Sequence, residues 1–71
     1  MTKRSSHAAR RAVLGALCRL SAQGNTQPTI ELIMSESSYP RRTCYRAMED
    51  LEREGYMRRY RVEVLREEYE R

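Results

Sequence analysis

The chain has 71 residues, a net charge of +4, and neither Trp nor Phe. One small domain follows, with a thin core of Leu, Ile, Val, Met, Ala and tyrosine bodies that dimerisation would naturally supplement. No apolar run approaches membrane-spanning length and the N-terminus lacks the apolar segment of a signal peptide, so a cytoplasmic chain is expected.

The first helix is expected from a cap at Ser5 or Ser6 to about Ala22. Ala9, Val13, Ala16, Leu17 and Leu20 repeat at the three-and-four spacing of a buried stripe, with Arg10, Arg11 and Arg19 facing outward. Leu14 and Cys18 widen the apolar face beyond one contact, so this helix is either packed on two sides or offers a dimer surface. Gln23-Gly24-Asn25 ends it. A second helix of about two turns is expected from a Thr26 cap with Pro28 just inside, carrying Ile30, Leu32, Ile33 and Met34. Ser35 to Ser38 reads as a polar turn.

The third helix is the most clearly marked. Pro40 suits a first helical position, where no amide donor is needed, and Gly55 suits the left-handed residue that closes a helix. Cys44, Ala47, Met48 and Leu51 fall on one face; Arg42, Arg46, Glu49 and Arg53 fall on the opposite one, flanked by Arg41 and Tyr45. Two short helices joined by a turn, with an earlier helix to pack on, form a helix-turn-helix arrangement. After Gly55, Tyr60, Val62 and Val64 alternate with Arg59, Arg61 and Glu63, which predicts one strand from about Met57 to Val64. Leu65 to Arg71 is charged and either frays or is helical.

Thirteen of the 14 basic residues are arginine, whose planar fork suits phosphates and the guanine edge. They come in blocks: Lys3, Arg4, Arg10, Arg11 and Arg19; then Arg41, Arg42 and Arg46; then Arg58, Arg59 and Arg61. Acids gather from Glu49 to Glu54 and from Glu63 to Glu70. Blocks sharing one face would make a positive footprint; the plain alternative is an ordinary solvated surface. Cations at a helix N-terminus oppose the macrodipole by about 0.3–1 kcal/mol, so Arg41 and Arg42 work against local stability and favour an external anion. For Arg42 and Arg46 the competing expectation is pairing with Glu49 and Asp50 on their own helix, worth about 0.3–0.5 kcal/mol per exposed pair. Tyr45 contacts a phosphate or a thymine methyl group, or packs beside the second helix. Ser37 and Ser38 either donate to phosphate or serve as turn residues. Lys3, Arg4, Arg10 and Arg11 form a DNA-tracking arm or a solvated tail.

The inventory argues against an enzyme. There is one histidine, His7, and no Gly-rich phosphate loop, no carboxylate pair in an apolar setting and no Cys/His cluster. Cys18 and Cys44 lack metal-ligand spacing and are expected as free thiols, Cys44 in the core. No cofactor, metal or small-molecule ligand is expected.

The run Tyr-Pro-Arg-Arg-Thr at 39–43, and Leu51 to Met57 after it, resemble the winged helix-turn-helix domains of small bacterial transcription regulators. The closest likeness is to a group whose recognition helix opens with an aromatic residue, Pro, Arg, Arg and Thr. The resemblance spans roughly Ala8 to Val64. It implies that the third helix enters the major groove and that basic residues after Gly55 follow the phosphate backbone. The matching positions are Arg41, Arg42, Tyr45 and Arg46 on the helix and Arg58 and Arg59 at the strand. This chain departs from the pattern in having no glycine-marked wing hairpin. Its wing is therefore truncated, replaced by a C-terminal helix, or turned without glycine.

The expectation is thus a mainly α domain over residues 1–71 with a small β element: a three-helix core, then a short or truncated β wing. Residues 1–5 are expected to be disordered, and 66–71 are left open. The expected function is sequence-specific duplex DNA binding in transcription regulation, through Ser38, Arg41, Arg42, Tyr45, Arg46, Arg58 and Arg59. A homodimer through the first helix or the C-terminal segment is expected. The rival is a protein-interaction adaptor without DNA binding, carried by the Leu14 and Cys18 flank and the acidic C-terminal third.

Overall fold

Three helices and one hairpin make up residues 5–69, the part of the chain that the computed structural model describes. They are α1 (His7–Ala22), α2 (Ile30–Ser37), α3 (Arg41–Arg53), β1 (Met57–Arg58) and β2 (Glu63–Val64). The fold is mainly helical, and β1 and β2 pair antiparallel with Met57 opposite Val64 and Arg58 opposite Glu63. Among the described residues no helix is long and apolar enough to cross a membrane.

Ser6 caps α1, its hydroxyl accepting from the Ala9 amide. The expected stripe is buried, and Leu14 joins it at 1 % exposure. Of the two roles open to the wider face of α1, the chain takes the first: α2 and α3 cover one side. The C-terminal segment covers the other, with Tyr69 packed on the core and the Cys18 sulfur 3.9 Å from the Glu67 carbonyl oxygen. The flank expected as a dimer surface is therefore occupied by the chain itself. Residues 65–69 are irregular rather than helical. Both cysteines are free thiols.

α2 begins later than expected and runs further. Thr29, not Thr26, is the cap, its hydroxyl accepting from the Leu32 amide at 3.2 Å. Ile30, Ile33, Met34 and Ser37 share the inward face of α2 at the three-and-four spacing. Ser35 to Ser37 consequently belong to the helix, and the turn reduces to Ser38 in the left-handed conformation (φ 64°). A turn this short fixes α3 directly against α2.

Pro40 is the cap of α3 rather than its first helical residue; its carbonyl accepts from the Cys44 amide, and no side chain caps the helix. Cys44, Ala47 and Leu51 are fully buried and meet Val13, Leu17 and Ile33 of the other helices in one core. Fully burying one such aliphatic side chain is worth about 1.5–3 kcal/mol. Gly55 closes the helix at φ 85°, and Tyr56 and Met57 then drop into the core.

The single strand expected from Met57 to Val64 is instead a hairpin turning through Arg59 to Val62. Folding back returns Val62 and Val64 to the core, whereas a straight strand would carry them away from it. The four-residue connection needs no positive φ, and none occurs in it, so glycine is dispensable there. Of the three possibilities for the wing, a hairpin turned without glycine is the one adopted.

Candidate nucleic-acid interface

With Cys44, Ala47 and Leu51 inward, α3 presents Arg42, Tyr45 and Arg46 together on its outer face at i, i+3 and i+4. Arg42 is exposed, Tyr45 is 48 % exposed and Arg46 is half-buried. Arg41, at the first turn, reaches across to α2, where its Nη2 lies 2.9 Å from the Glu31 carboxylate. Ser38 is exposed ahead of the helix. Ser37 is not available to a phosphate: it is buried, its hydroxyl 3.4 Å from the Cys44 sulfur and 3.4 Å from the Tyr39 amide.

The acids of α3 are all engaged, and not by Arg42 or Arg46. Arg53 holds Glu49 at 3.2 Å and Asp50 at 3.0 Å, while Arg59 reaches back from the hairpin to Glu52 at 3.3 Å. The competing expectation for Arg42 and Arg46, pairing along their own helix, is therefore filled by Arg53. The side chains of Arg42, Arg46 and Arg58 form no ion pair or hydrogen bond with any described residue. The C-terminal half of α3 is internally neutralised, and its N-terminal half keeps its positive charge.

Asp50 is the buried exception on this helix, at 4 % exposure. It accepts from the Ser5 amide at 2.9 Å and the Ser5 hydroxyl at 2.6 Å, with Arg10 at 3.8 Å. Burial alone would raise its carboxyl, but the two Ser5 hydrogen bonds, then Arg53 and Arg10, together hold it below the ordinary carboxylate value. Arg10 is correspondingly not outward-facing. It donates to the Ser5 carbonyl and the Tyr69 hydroxyl, and Tyr69 donates to Glu54 at 3.0 Å. The Tyr69 ring lies 4.9 Å from that of Tyr56 and 5.1 Å from that of His7. Arg10 is thus structural and cannot serve in a DNA-tracking arm, and Ser5 belongs to the fold rather than to a disordered stretch. Of the rest of that arm, Arg11 is exposed on α1, and Lys3 and Arg4 lie outside the described residues.

The hairpin places Arg58 and Arg59 outward, with the Arg59 amide also donating to Glu52 at 3.2 Å, so the hairpin is splinted to α3. Glu31 and Glu52, which steady two of the candidate arginines, carry no mark in the sequence, because their partners depend on how α2 and the hairpin meet α3. Tyr60 and Arg61, both exposed at the hairpin tip, are further candidates that the strand expectation concealed. Among the described residues no group of His, Cys, Asp and Glu could hold a metal ion. The chain matches no family model, no curated protein and no solved structure.

Proposed function

We propose that this is a winged helix-turn-helix protein that binds duplex DNA and regulates transcription, with the N-terminal half of α3 in the major groove. One observation supports it above the rest: the acids on α3 are taken by Arg53 at the end of the helix and by Arg59 of the hairpin, while the side chains of Arg42 and Arg46 have no partner among the described residues and stand beside an exposed Tyr45. Arg58 adds on the hairpin a third cation unpaired among the described residues, and Arg41, Arg59 and Ser38 complete the proposed contact set. The adaptor alternative rested on the flank at Leu14 and Cys18 and on the acidic C-terminal third; the C-terminal segment packs against that flank, while Glu63, Glu67 and Glu68 stay exposed.

Counterion release supplies the test. Three phosphate contacts, at a slope of about 0.9 each, give log K against log salt a slope near −2.7, or about a 40-fold loss of affinity between 50 and 200 mM salt. Recruiting Arg41 and Arg59 as well steepens it to about −4.5. Titration of a random-sequence duplex should show a slope in that range, and replacing Arg42, Arg46 and Arg58 by alanine should flatten it while circular dichroism is unchanged. Wild-type protein that binds no duplex at low salt, or a triple variant with an unaltered slope, overturns the proposal.

A further inference from the structure

The hairpin tip breaks two local rules at once. Tyr60 is 100 % exposed, so a large aromatic side chain gains nothing from folding. The connection Arg59-Tyr60-Arg61-Val62 contains none of the Gly, Pro, Asn, Asp or Ser residues that make turns easy. A connection that forgoes turn formers to display a tyrosine between arginines has a reason outside the fold. Arg58, Arg59 and Arg61, all exposed, are its neighbours along the hairpin, and Arg59 is anchored to Glu52, which holds the tip on α3 rather than leaving it to swing.

An exposed aromatic face among cations suits a nucleic-acid base, whose stacking is tolerant of sequence and whose phosphates the arginines attract. Bases inside a duplex are already stacked on both faces and present only their edges to a groove. The face of Tyr60 is therefore matched to a base that has lost a neighbour. We propose that the hairpin tip is a stacking site for an unpaired base, with Tyr60 as the platform and Arg58 and Arg61 on the flanking phosphates. The domain then prefers duplex DNA carrying a single-stranded extension or gap over uninterrupted duplex. This rests on the DNA-binding reading for the duplex half of the complex.

The chain has no tryptophan, so Tyr60→Trp installs a lone fluorophore at the tip. Its emission should be quenched by a gapped or tailed duplex and not by a blunt duplex of equal length. Wild-type protein should bind the tailed duplex more tightly than the blunt one. Tyr60→Ala should remove that preference, a loss of roughly 5- to 100-fold on the tailed duplex alone, and Tyr60→Phe should retain it. Equal wild-type affinities for tailed and blunt duplex, or a Tyr60→Ala variant that keeps the preference, overturns the stacking site while leaving duplex binding intact. Single-strand binding without duplex binding supports the stacking site and removes the major-groove reading. No binding to any of these DNAs removes both.

Discussion

Removing the Asp50 carboxylate should cost this domain most of its stability. The carboxylate accepts from the Ser5 amide and hydroxyl and faces Arg10, whose side chain is only 12 % exposed. Hydrogen bonds to a charged group contribute about 1.5–3 kcal/mol, and removing one member of a buried pair costs about 3–5 kcal/mol because the other is left uncompensated. Arg53, with its side chain 58 % exposed, adds little, since water screens it. Asp50→Ala should therefore lose about 2–4 kcal/mol, close to the whole of the 3–5 kcal/mol that a core this size supplies. Asp50→Asn keeps one acceptor but turns an amide group toward donors, and should lose about 1.5–3 kcal/mol.

Urea unfolding followed by circular dichroism measures both losses, and pH separates this cause from simple repacking. The folded carboxyl is held below its unfolded value, so its contribution is fully present above the unfolded pKa of about 3.9 and is lost as pH falls through the folded value. The gap between wild type and Asp50→Asn should stay constant from about pH 5 to 8 and narrow below about pH 4. An Asn variant as stable as wild type at pH 7, or a gap that persists unchanged into strong acid, would refute the clasp as described.

Ser38 holds a left-handed conformation without being glycine, so Ser38→Gly should stabilise by about 0.5–1 kcal/mol and raise Tm by about 2–8 °C in a thermal melt. A lower Tm would mean that the serine side chain supports the turn in a way its geometry does not show. Tyr69→Ala should loosen the C-terminal segment from α1 and cost about 1–3 kcal/mol, less than a fully buried aromatic. Burial first, and the Glu67 carboxylate second, push the Cys18 thiol up, so the same variant should bring its pKa down and speed its reaction with a disulfide reagent, while Cys44 stays inert in the folded protein. Unchanged Cys18 reactivity would show that the segment does not shield it.

How much of this could be read beforehand depends on the range over which each feature is determined. The body of α3 was legible because Pro40, Gly55 and the spacing of Cys44, Ala47, Met48 and Leu51 are all local. Its immediate neighbourhood was not: Thr26 and Thr29 both offer a capping hydroxyl, and a run of small polar residues from Ser35 to Ser38 does not show that Ser37 is the last, buried turn of α2 rather than part of the turn. The polar clasp was illegible for a stronger reason. Arg10 and Tyr69 are 59 positions apart, Ser5 and Asp50 are 45 apart, and no periodicity links them. An arginine at an outward-looking helical position is solvated unless some remote segment arrives to bury it. The hairpin was hidden by its own economy, since a four-residue connection without positive φ leaves no obligatory residue type behind.

The departures from local rules fall into two kinds, and the difference bears on function. Asp50 is buried and ionised, yet its hydrogen bonds and nearby arginines answer the burial within the fold. Arg42 beside the positive end of a helix dipole and Tyr60 fully in water receive no such answer from any described residue, whereas the left-handed Ser38 closes α2 by donating its amide to the Met34 carbonyl at 2.8 Å. A departure compensated inside the fold is explained by stability; one left uncompensated needs a partner to explain it. The uncompensated positions cluster in residues 42–46 and 58–61, along the first two turns of α3 and on the hairpin that Arg59 ties to it. Substitutions at Asp50 or Arg10 should therefore move stability at every salt concentration. Those at Arg42, Arg46 and Tyr60 should move affinity for DNA and leave the unfolding curve where it was.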